Sequence, residues 1–574
     1  MPRDDLNRKI FFFPLISLLI LLISFCAKQM PPRGGPEDKT PPAVISIFPD
    51  DGALNVPTDT EIKIGFSELV VKRTFEEAFF ISPLPSEEIR FHWHGKKVKI
   101  SFGDTLKSPR TYVVTIGAKT SDLRNNRMEQ SVSIAFSTGP QIDQGQISGH
   151  VFGNTNISGT LVCAYLLADS SRPNPGKVLA DYYTQCNETG EYQLKYVAPG
   201  KYRLFAIGDK DGDRKYSRGF ETIGMPNSDI ELTAIKLHLS DIDFQITTED
   251  TLLPFLKSAY AADQNRVDVR FNETVQPIDK NVPDNFFKIF VEGNSKEYLQ
   301  IRSFYQDSRD GSIFHLITET QKELPYELQA KNIFDLSNNP LDTAFNSVIF
   351  DGSAMPDTIQ PALIFQSIQD SSQSVFPDSS IFFIFSEPIL PTSFENHFQF
   401  FNSDQKTVPG EFLWKTPAHV QFIPEANLEF SSRYLMKADV DSIFDLHGNS
   451  LKDSMFSVFF KTIPRDTLTA ISGTFSDEQK NADGDIHLLA NNGSQRYHLT
   501  ISQPGPYEFK NILPGIYTIS AFRDEDGNGK FSLGTPFPFS PAERFVFYSD
   551  SVKVRSRWPN EGNNIILKKK FSER

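Results

Sequence analysis

The sequence predicts an all-β protein, a tandem array of small β-sandwiches behind an N-terminal signal or anchor. Three observations predict it. Phe fills 51 of the 574 positions and Pro 38, against 7 Met, a balance that favours strands and turns over long helices. Apolar residues recur at alternate positions in short runs bounded by Gly, Pro, Asp and Asn, the period of a strand with one face on a core. Two kinds of segment recur at about domain length, one three times and the other twice. With 39% hydrophobic and 23% charged residues, the chain is neither disordered, collagenous nor a coiled coil. Its net charge of −14 leaves no basic surplus to neutralise phosphates, so no nucleic acid partner is expected. Three cysteines exclude a disulfide scaffold.

Residues 1–26 read as an address. Arg3, Arg8 and Lys9 precede an apolar run from Ile10 to Phe25, 16 residues long, and Cys26 closes it. The run falls short of the roughly 20 residues that span a bilayer comfortably. It looks like a bacterial lipoprotein signal, and Ile23-Ser24-Phe25-Cys26 resembles a lipobox, which implies lipidation at Cys26. Phe25 departs from that pattern, which places a small residue before the Cys. The alternative is an uncleaved N-terminal anchor. Both readings put the rest of the chain outside the cytoplasm and beside a membrane, expected to be the outer membrane. Without residues 1–25 the chain is one unit more negative still, so an anionic surface repels it and the anchor must hold it there. Residues 27–40, rich in Pro and Gly, read as a tether.

The first repeat opens with a strand ending in a small polar residue and Glu: Ile62 to Glu68, Val267 to Glu273 and Ile381 to Glu387. The third has apolar residues on both faces and should be the most deeply covered. Each repeat closes alike. Tyr112, Tyr326 and Tyr434 begin a late strand, followed by an Asp-Leu-x-x-Asn turn at Asp122, Asp335 and Asp445 and a final apolar strand. Asp and Asn supply acceptors for turn amides, and the Leu is expected to pin the loop to the core. In the second repeat, residues 192–219 align without gaps to 507–534 with 12 identities in 28, and Ile147-Ser148-Gly149 matches Ile471-Ser472-Gly473 upstream. The boundaries then fall at 41–140, 146–246, 247–353, 357–463 and 466–572, five units of about 100 residues.

The first repeat resembles the bacterial Ig-like domain of the S-layer-protein SbsA type. The second, with Ile-Ser-Gly at its start and Pro-Gly-x-Tyr before its last strands, resembles carboxypeptidase regulatory-like or Cna protein B-type domains. The layout, with the stretch Gly34 to Pro42 after the Cys, is similar to that of exported Bacteroidetes lipoproteins. That resemblance implies location and architecture and brings no defined activity. Some Cna B-type domains carry a Lys–Asn crosslink. The opening strands here contain no Lys, so none is expected.

The strongest chemical constellation is acidic. Asp209, Asp211 and Asp213 recur as Asp524, Asp526 and Asn528, at alternate positions of a Gly-containing loop. Oxygen ligands so spaced can converge on one calcium ion, the candidate cofactor. Gly529 holds the sixth position of the second loop as a calcium loop demands, whereas Arg214 holds it in the first. Phe220 and Thr535 stand where an EF-hand has its bidentate Glu, so a further ligand would come from Glu221 or Glu543. The alternative is a plain Asp/Gly hairpin loop. His92-Trp93-His94 puts two imidazoles on one strand face. Phe91-x-Trp93 aligns with Phe412-x-Trp414, however, which marks a packing feature rather than zinc. Cys163 and Cys186 lie in one unit and read either as a disulfide or as two buried thiols. No catalytic residue is assigned, and a Glu that occurs three times is more naturally structural than catalytic. The expected function is a non-catalytic structural or interaction protein of the bacterial envelope that contacts a protein or polysaccharide through its loops. The alternative is a glycan-binding or glycan-processing lipoprotein with a site between units.

Overall fold

The computed structural model describes residues 38–85, 88–154, 156–167, 172–278, 282–452 and 456–571. Cys26 and the tether up to residue 37 lie outside the described residues. The chain divides into two compact units: the residues up to Gln144 with Lys195–Ala198, and the remainder from Gly145. Among the described residues the α-helices are single short segments, Lys72–Ala78 and Pro391–His397, and no helix is long and apolar enough to cross a membrane. Everything else regular is strand or a 3₁₀ turn.

The first sandwich pairs a four-stranded sheet (Val44–Phe48, Ile62–Phe66, Lys97–Phe102, Ile89–His94, in spatial order) with a three-stranded one (Phe79–Ser82, Thr111–Ile116, Val132–Ser137). Alternation explains the pairing: Ile62 and Ile64 face inward opposite Ile100 and Val98, and Lys63 faces out opposite Lys99. Inward residues of both sheets form one core with Phe75, Tyr112 and Phe136. Its lead-in is anchored from Asp38, three residues ahead of the expected start, where the Asn126 side-chain amide donates to the Asp38 carbonyl.

The third and fourth units repeat this plan with four strands in each sheet. The strand Arg266–Phe271 heads the inner part of one core and Ile381–Phe385 that of the other. No position of Ile381–Phe385 is exposed, as its apolar residues on both faces require. The repeated tyrosines sit second in their strands, and the hydroxyls of Tyr112, Tyr326 and Tyr434 accept bonds from the backbone amides of Lys107, Lys322 and Glu429, respectively. The phenol thus ties the preceding loop to the sheet. Phe-x-Trp is a packing feature too: the Trp93 and Trp414 indoles donate to Glu76 and Glu395, each at 2.8 Å, while their rings meet Phe75 and Phe394 edge-on.

The second and fifth units form the other type, in which the opening strand receives a late segment in parallel (His238–Leu239 and Phe244–Gln245 on Gly145–Phe152; Ile565–Leu567 on Thr469–Asp477). The Gly of each Ile-Ser-Gly is explained here. A Cβ on Gly149 would run into the Ile242 carbonyl, and one on Gly473 into that of Asn563. A buried tyrosine fastens the same return segment, with Tyr192 donating to Ile242 O at 2.6 Å and Tyr507 to Asn563 O at 2.5 Å. The expected boundary at 246 falls short. Thr247–Thr248 still pairs with Thr222–Gly224, so the second sandwich closes with that edge strand.

The units from Gly145 onward are not separate beads. The second and fifth pack side by side: Phe152 stacks on Phe547 at 4.3 Å between centroids, and the Arg203 guanidinium lies 3.7 Å over the Phe539 ring. The Ala542 amide donates to Pro226 O, and the Phe571 amide to Ser228 Oγ. Buried aromatic area and a stacked guanidinium make this a specific contact.

Candidate functional site

The acidic loops of the second and fifth units share one pattern of hydrogen bonds, to which the fifth adds Asn528 N to Asp524 Oδ1. In the fifth, Asp524 Oδ1 accepts from Gly527 N and Asn528 N, and Oδ2 from Gly529 N. In the second, Asp209 accepts from Gly212 N and Arg214 N. Asp211 and Asp526 each accept from the amide two residues on, at 3.1 Å. Glu221, wholly buried, accepts from Lys210 N and Ser217 N at 2.6 and 2.9 Å; Glu543 accepts from Glu525 N and Ser532 N at the same distances. Both Glu residues therefore close their loops, although one lies 12 positions after the first Asp and the other 19. Carboxylate oxygens of Asp209, Asp211 and Glu221 lie within 4.8 Å of one another, as do those of Asp524, Asp526 and Glu543. Asp213 stands outside this group and accepts from Lys215 N, a role that Asn528 reproduces with Lys530 N. The amides account for the loop geometry, and each carboxylate keeps lone pairs that a hard cation could take. Burial, together with Glu221 and Asp211, raises the Asp209 carboxyl above its ordinary range despite bonds from Gly212 and Arg214. At Asp524 the loop amides outweigh burial and hold it below.

A second arrangement occurs three times and was only half visible in sequence. In each Ig-like unit the turn Asp accepts from two amides on its Oδ1 and from the turn Asn side chain on its Oδ2, all at 2.7–2.9 Å. The same Asn side chain donates to the carbonyl of an Asp in the lead-in: Asn126 to Asp38, Asn339 to Asp250, Asn449 to Asp357. The lead-in carboxylate then joins the turn Asp and the strand-end Glu. Asp38, Glu68 and Asp122 form one cluster and Asp250, Glu273 and Asp335 another. The fourth unit brings Asp357, Asp445 and His447 together, with Glu387 lining the same cleft. Burial first, then the neighbouring Asp carboxylates, raises Glu68 and Glu273, and pushes Glu387 up to about 8. The spacing Asp-x-x-x-Pro (Asp38 to Pro42, Asp250 to Pro254, Asp357 to Pro361) was the available signal for the third member.

The turn leucines do not pin these loops. Leu123, Leu336 and Leu446 are 66%, 60% and 52% exposed. The Asp–amide bonds hold the turn, and Met128, Leu341 and Leu451 just beyond supply the buried anchor.

Cys163 and Cys186 are free buried thiols, which corrects the disulfide reading. Cys163 pairs in register with Tyr183, so Cys186 lies three residues further along and its side chain points to the opposite face. That offset is about 10 Å, beyond the reach of a disulfide. Burial pushes the Cys163 thiol up to about 12, and Cys186 Sγ donates to Ile157 O. His92 and His94 are exposed and belong to no such cluster among the described residues.

Two ionic networks escaped sequence reading because their members are far apart in the chain. In the fifth unit Asp477 is gripped by Arg523 (2.9 Å) and Arg544 (2.6 Å), all three almost wholly buried. In the third, His315 lies between Asp268 (2.7 Å) and Asp307 (3.4 Å).

Residues 38–138 and 357–462 match the family model described as the bacterial Ig-like domain. Residues 247–353 carry the same turn and acidic cluster. No curated protein matches the chain. Among solved structures it is similar to the N-terminal part of the bacterial S-layer protein SbsC, at 12% identity and a TM-score of 0.17, over 36% of this chain and 44% of that one. It is similar to domains 1–6 of SbsC at 11% identity and 0.15, over 90% and 67%. It is also similar to BcpA, the major pilin subunit of Bacillus cereus, at 7% and 0.14, over 74% and 100%. The chain thus spans under half of the first of these. With TM-scores this low, the likenesses carry no statement about what the chain does. The fold itself is an all-β array of Ig-like sandwiches and a second sandwich type.

Proposed function

We propose that this protein is a membrane-tethered, non-catalytic structural or interaction protein of the bacterial cell envelope, held outside the cytoplasm at the outer membrane. The observation that supports it is repetition of chemistry. The acidic triads of the Ig-like units recur at one place in three units, and the Asp loops recur in two, each holding a turn. A catalytic carboxylate pair would stand alone. The exposed sandwich loops are the surface for an envelope protein or polysaccharide. The regulatory-like reading of the second and fifth units rests on their shared motifs.

Cys26 carries the tether in this reading. Cys26→Ser should abolish labelled-palmitate incorporation and release the protein from the membrane fraction. Unchanged labelling and fractionation would overturn lipidation in favour of an uncleaved anchor. Calcium is the ion for the two loops, with Asp524, Asp526 and Asn528 closed by Glu543, and Asp209, Asp211 and Asp213 closed by Glu221. Calorimetry on the full-length protein in detergent should show calcium binding that Asp526→Asn weakens by about tenfold. A melting point unmoved by millimolar calcium, with no heat of binding, removes the ion and leaves a hairpin loop.

A further inference from the structure

The second and fifth units follow one plan, yet the faces by which they touch are unlike. At the places of Phe152, Arg203 and Phe205 the fifth unit has Ser476, Thr518 and Ser520. Its own contribution lies where the second unit has no residues at all. Glu221 stands two positions after Gly219, whereas Glu543 stands nine after the aligned Gly534, so residues 535–541 are an addition of seven. They form a hairpin, Thr535–Pro536 paired with Phe539–Ser540. That hairpin puts the Phe539 ring 3.7 Å from the Arg203 guanidinium and edge-on to Phe205, with centroids 6.0 Å apart.

The receiving side is set by its own unit. Arg203 donates through Nε and Nη2 to Asp229 at 2.8 and 2.9 Å, which fixes the guanidinium plane and leaves its face to the phenyl ring. Beyond the strand Thr222–Gly224, Pro226 O accepts from Ala542 N, and the buried Ser228 accepts on Oγ from Phe571 N. Phe152 stacks on Phe547 and meets Phe545 edge-on, at 4.3 and 6.1 Å between centroids. The contact therefore joins two different surfaces and is heterologous, with an added hairpin on one side and a prepared seat on the other.

We propose that the second unit is the docking site for the fifth unit of the same chain, a clasp that closes the chain on itself and holds even where the chain between them is cut. The third and fourth units are then an excursion fastened at both ends, and the fifth stands beside the second rather than at the end of a string. Their covalent connection keeps the two faces at high effective concentration, which favours closure within one chain over capture of a second copy. The clasp is independent of the membrane tether and of the calcium reading, which concern other residues.

The test places a protease site at residues 354–356, an exposed stretch between the third and fourth units, in the full-length protein in detergent. After cleavage the two fragments should elute together at the size of the uncut monomer. Phe539→Ser with Phe547→Ser should raise the dissociation constant of the cut pair by at least about tenfold. Hydrogen exchange separates undocking from misfolding: the amides of Ala542 and Phe571 should lose protection in that variant while the strand Gly515–Asp524 keeps it. Phe539→Ser alone, confined to the added hairpin, gives a second reading if the double variant misfolds. Wild-type fragments that part at about micromolar concentration overturn the proposal. So do variant fragments that hold as tightly as wild type, which would assign the hold to the joint where Ser308 Oγ lies 3.0 Å from His419 Nδ1. An uncut protein that dimerises unless Phe539 is replaced would give the docking site to a second copy and overturn closure within one chain.

Discussion

The second and fifth units carry matching 28-residue segments, 12 positions of which are identical, and comparing them separates what a surface loop needs from what lies beneath it. Above, the two Asp loops share most of their hydrogen bonds, with the first Asp, the third-position Asp and the closing Glu accepting from matching amides. Below, they differ completely. The fifth unit sets its loop on Asp477, Arg523 and Arg544, with Arg544 also reaching Glu525 and Arg523 donating to the carbonyls of Ala482 and Gly484. At the places of Asp477 and Arg523 the second unit has Gly153 and Gly208. A Cβ on Gly208 would press on Thr222 Oγ1 and one on Gly153 on the Ile246 side chain, so a side chain at either place would require those neighbours to shift. The loop geometry is therefore a local property of Asp, Gly and backbone amides. Its foundation is a tertiary matter that each unit solves separately.

The largest expected effect follows from the buried ions. Asp477→Asn leaves the buried Arg523 without its counter-charge and Arg544 with Glu525 alone, and should destabilise the protein by about 3–5 kcal/mol in urea unfolding, with lost amide protection centred on the fifth unit. A loss below about 1 kcal/mol would mean that water reaches the cluster and that the two foundations are equivalent. Acid should expose the same asymmetry. Burial pushes the Asp477 carboxyl up, but bonds from Arg544 and the Gln479 amide outweigh it and hold it below its ordinary value. The unfolded chain therefore takes up the proton first. The contribution is complete above the unfolded value near 4 and is lost as pH falls through the lower folded value. Hydrogen exchange across that window should open the fifth unit ahead of the second, which has no matching carboxylate.

How much of this was legible in the sequence depends on the range of each interaction. Strands, tyrosine corners and Asp turns depend on neighbours within a few residues, so periodicity and spacing reveal them. The Asp loops were visible for the same reason, and Glu221 and Glu543 could be named because few acidic residues follow each loop closely. Asp477 with Arg544, and His315 with Asp268, join residues dozens of positions apart, and no local pattern marks them. Leu123, Leu336 and Leu446 misled because an apolar residue in a turn suggests burial, while the Asp–amide bonds already hold that turn. The cysteines stayed open between a disulfide and two buried thiols because chain proximity hides the odd offset that separates their faces. The contact between the second and fifth units was out of reach, since Phe152 and Phe547 look like ordinary strand residues until the chain brings them together.

The smallest effect tests the comparison most directly, at the sixth position of the loop. Gly529 (φ 74°) and Arg214 (φ 63°) occupy the same left-handed conformation, where glycine is at ease and an L side chain pays about 1 kcal/mol. The amide at this position donates to the first Asp in both loops, at 2.8 Å from Gly529 and 3.3 Å from Arg214. If the loops are locally determined, Arg214→Gly should relieve the strain and raise stability by up to about 1 kcal/mol, and Gly529→Ala should lower it by a similar amount. The Arg214 guanidinium also lies over the Tyr183 ring at 5.3 Å, a contact worth about 0.5–1 kcal/mol that the first substitution forfeits. Arg214→Gly therefore reads the difference between strain and stacking, and Gly529→Ala reads strain alone. Thermal unfolding of both variants separates the two terms. An unchanged melting point in Gly529→Ala would show that the loop relaxes around a side chain, and its geometry would then owe more to the foundation beneath than to the residues that form it.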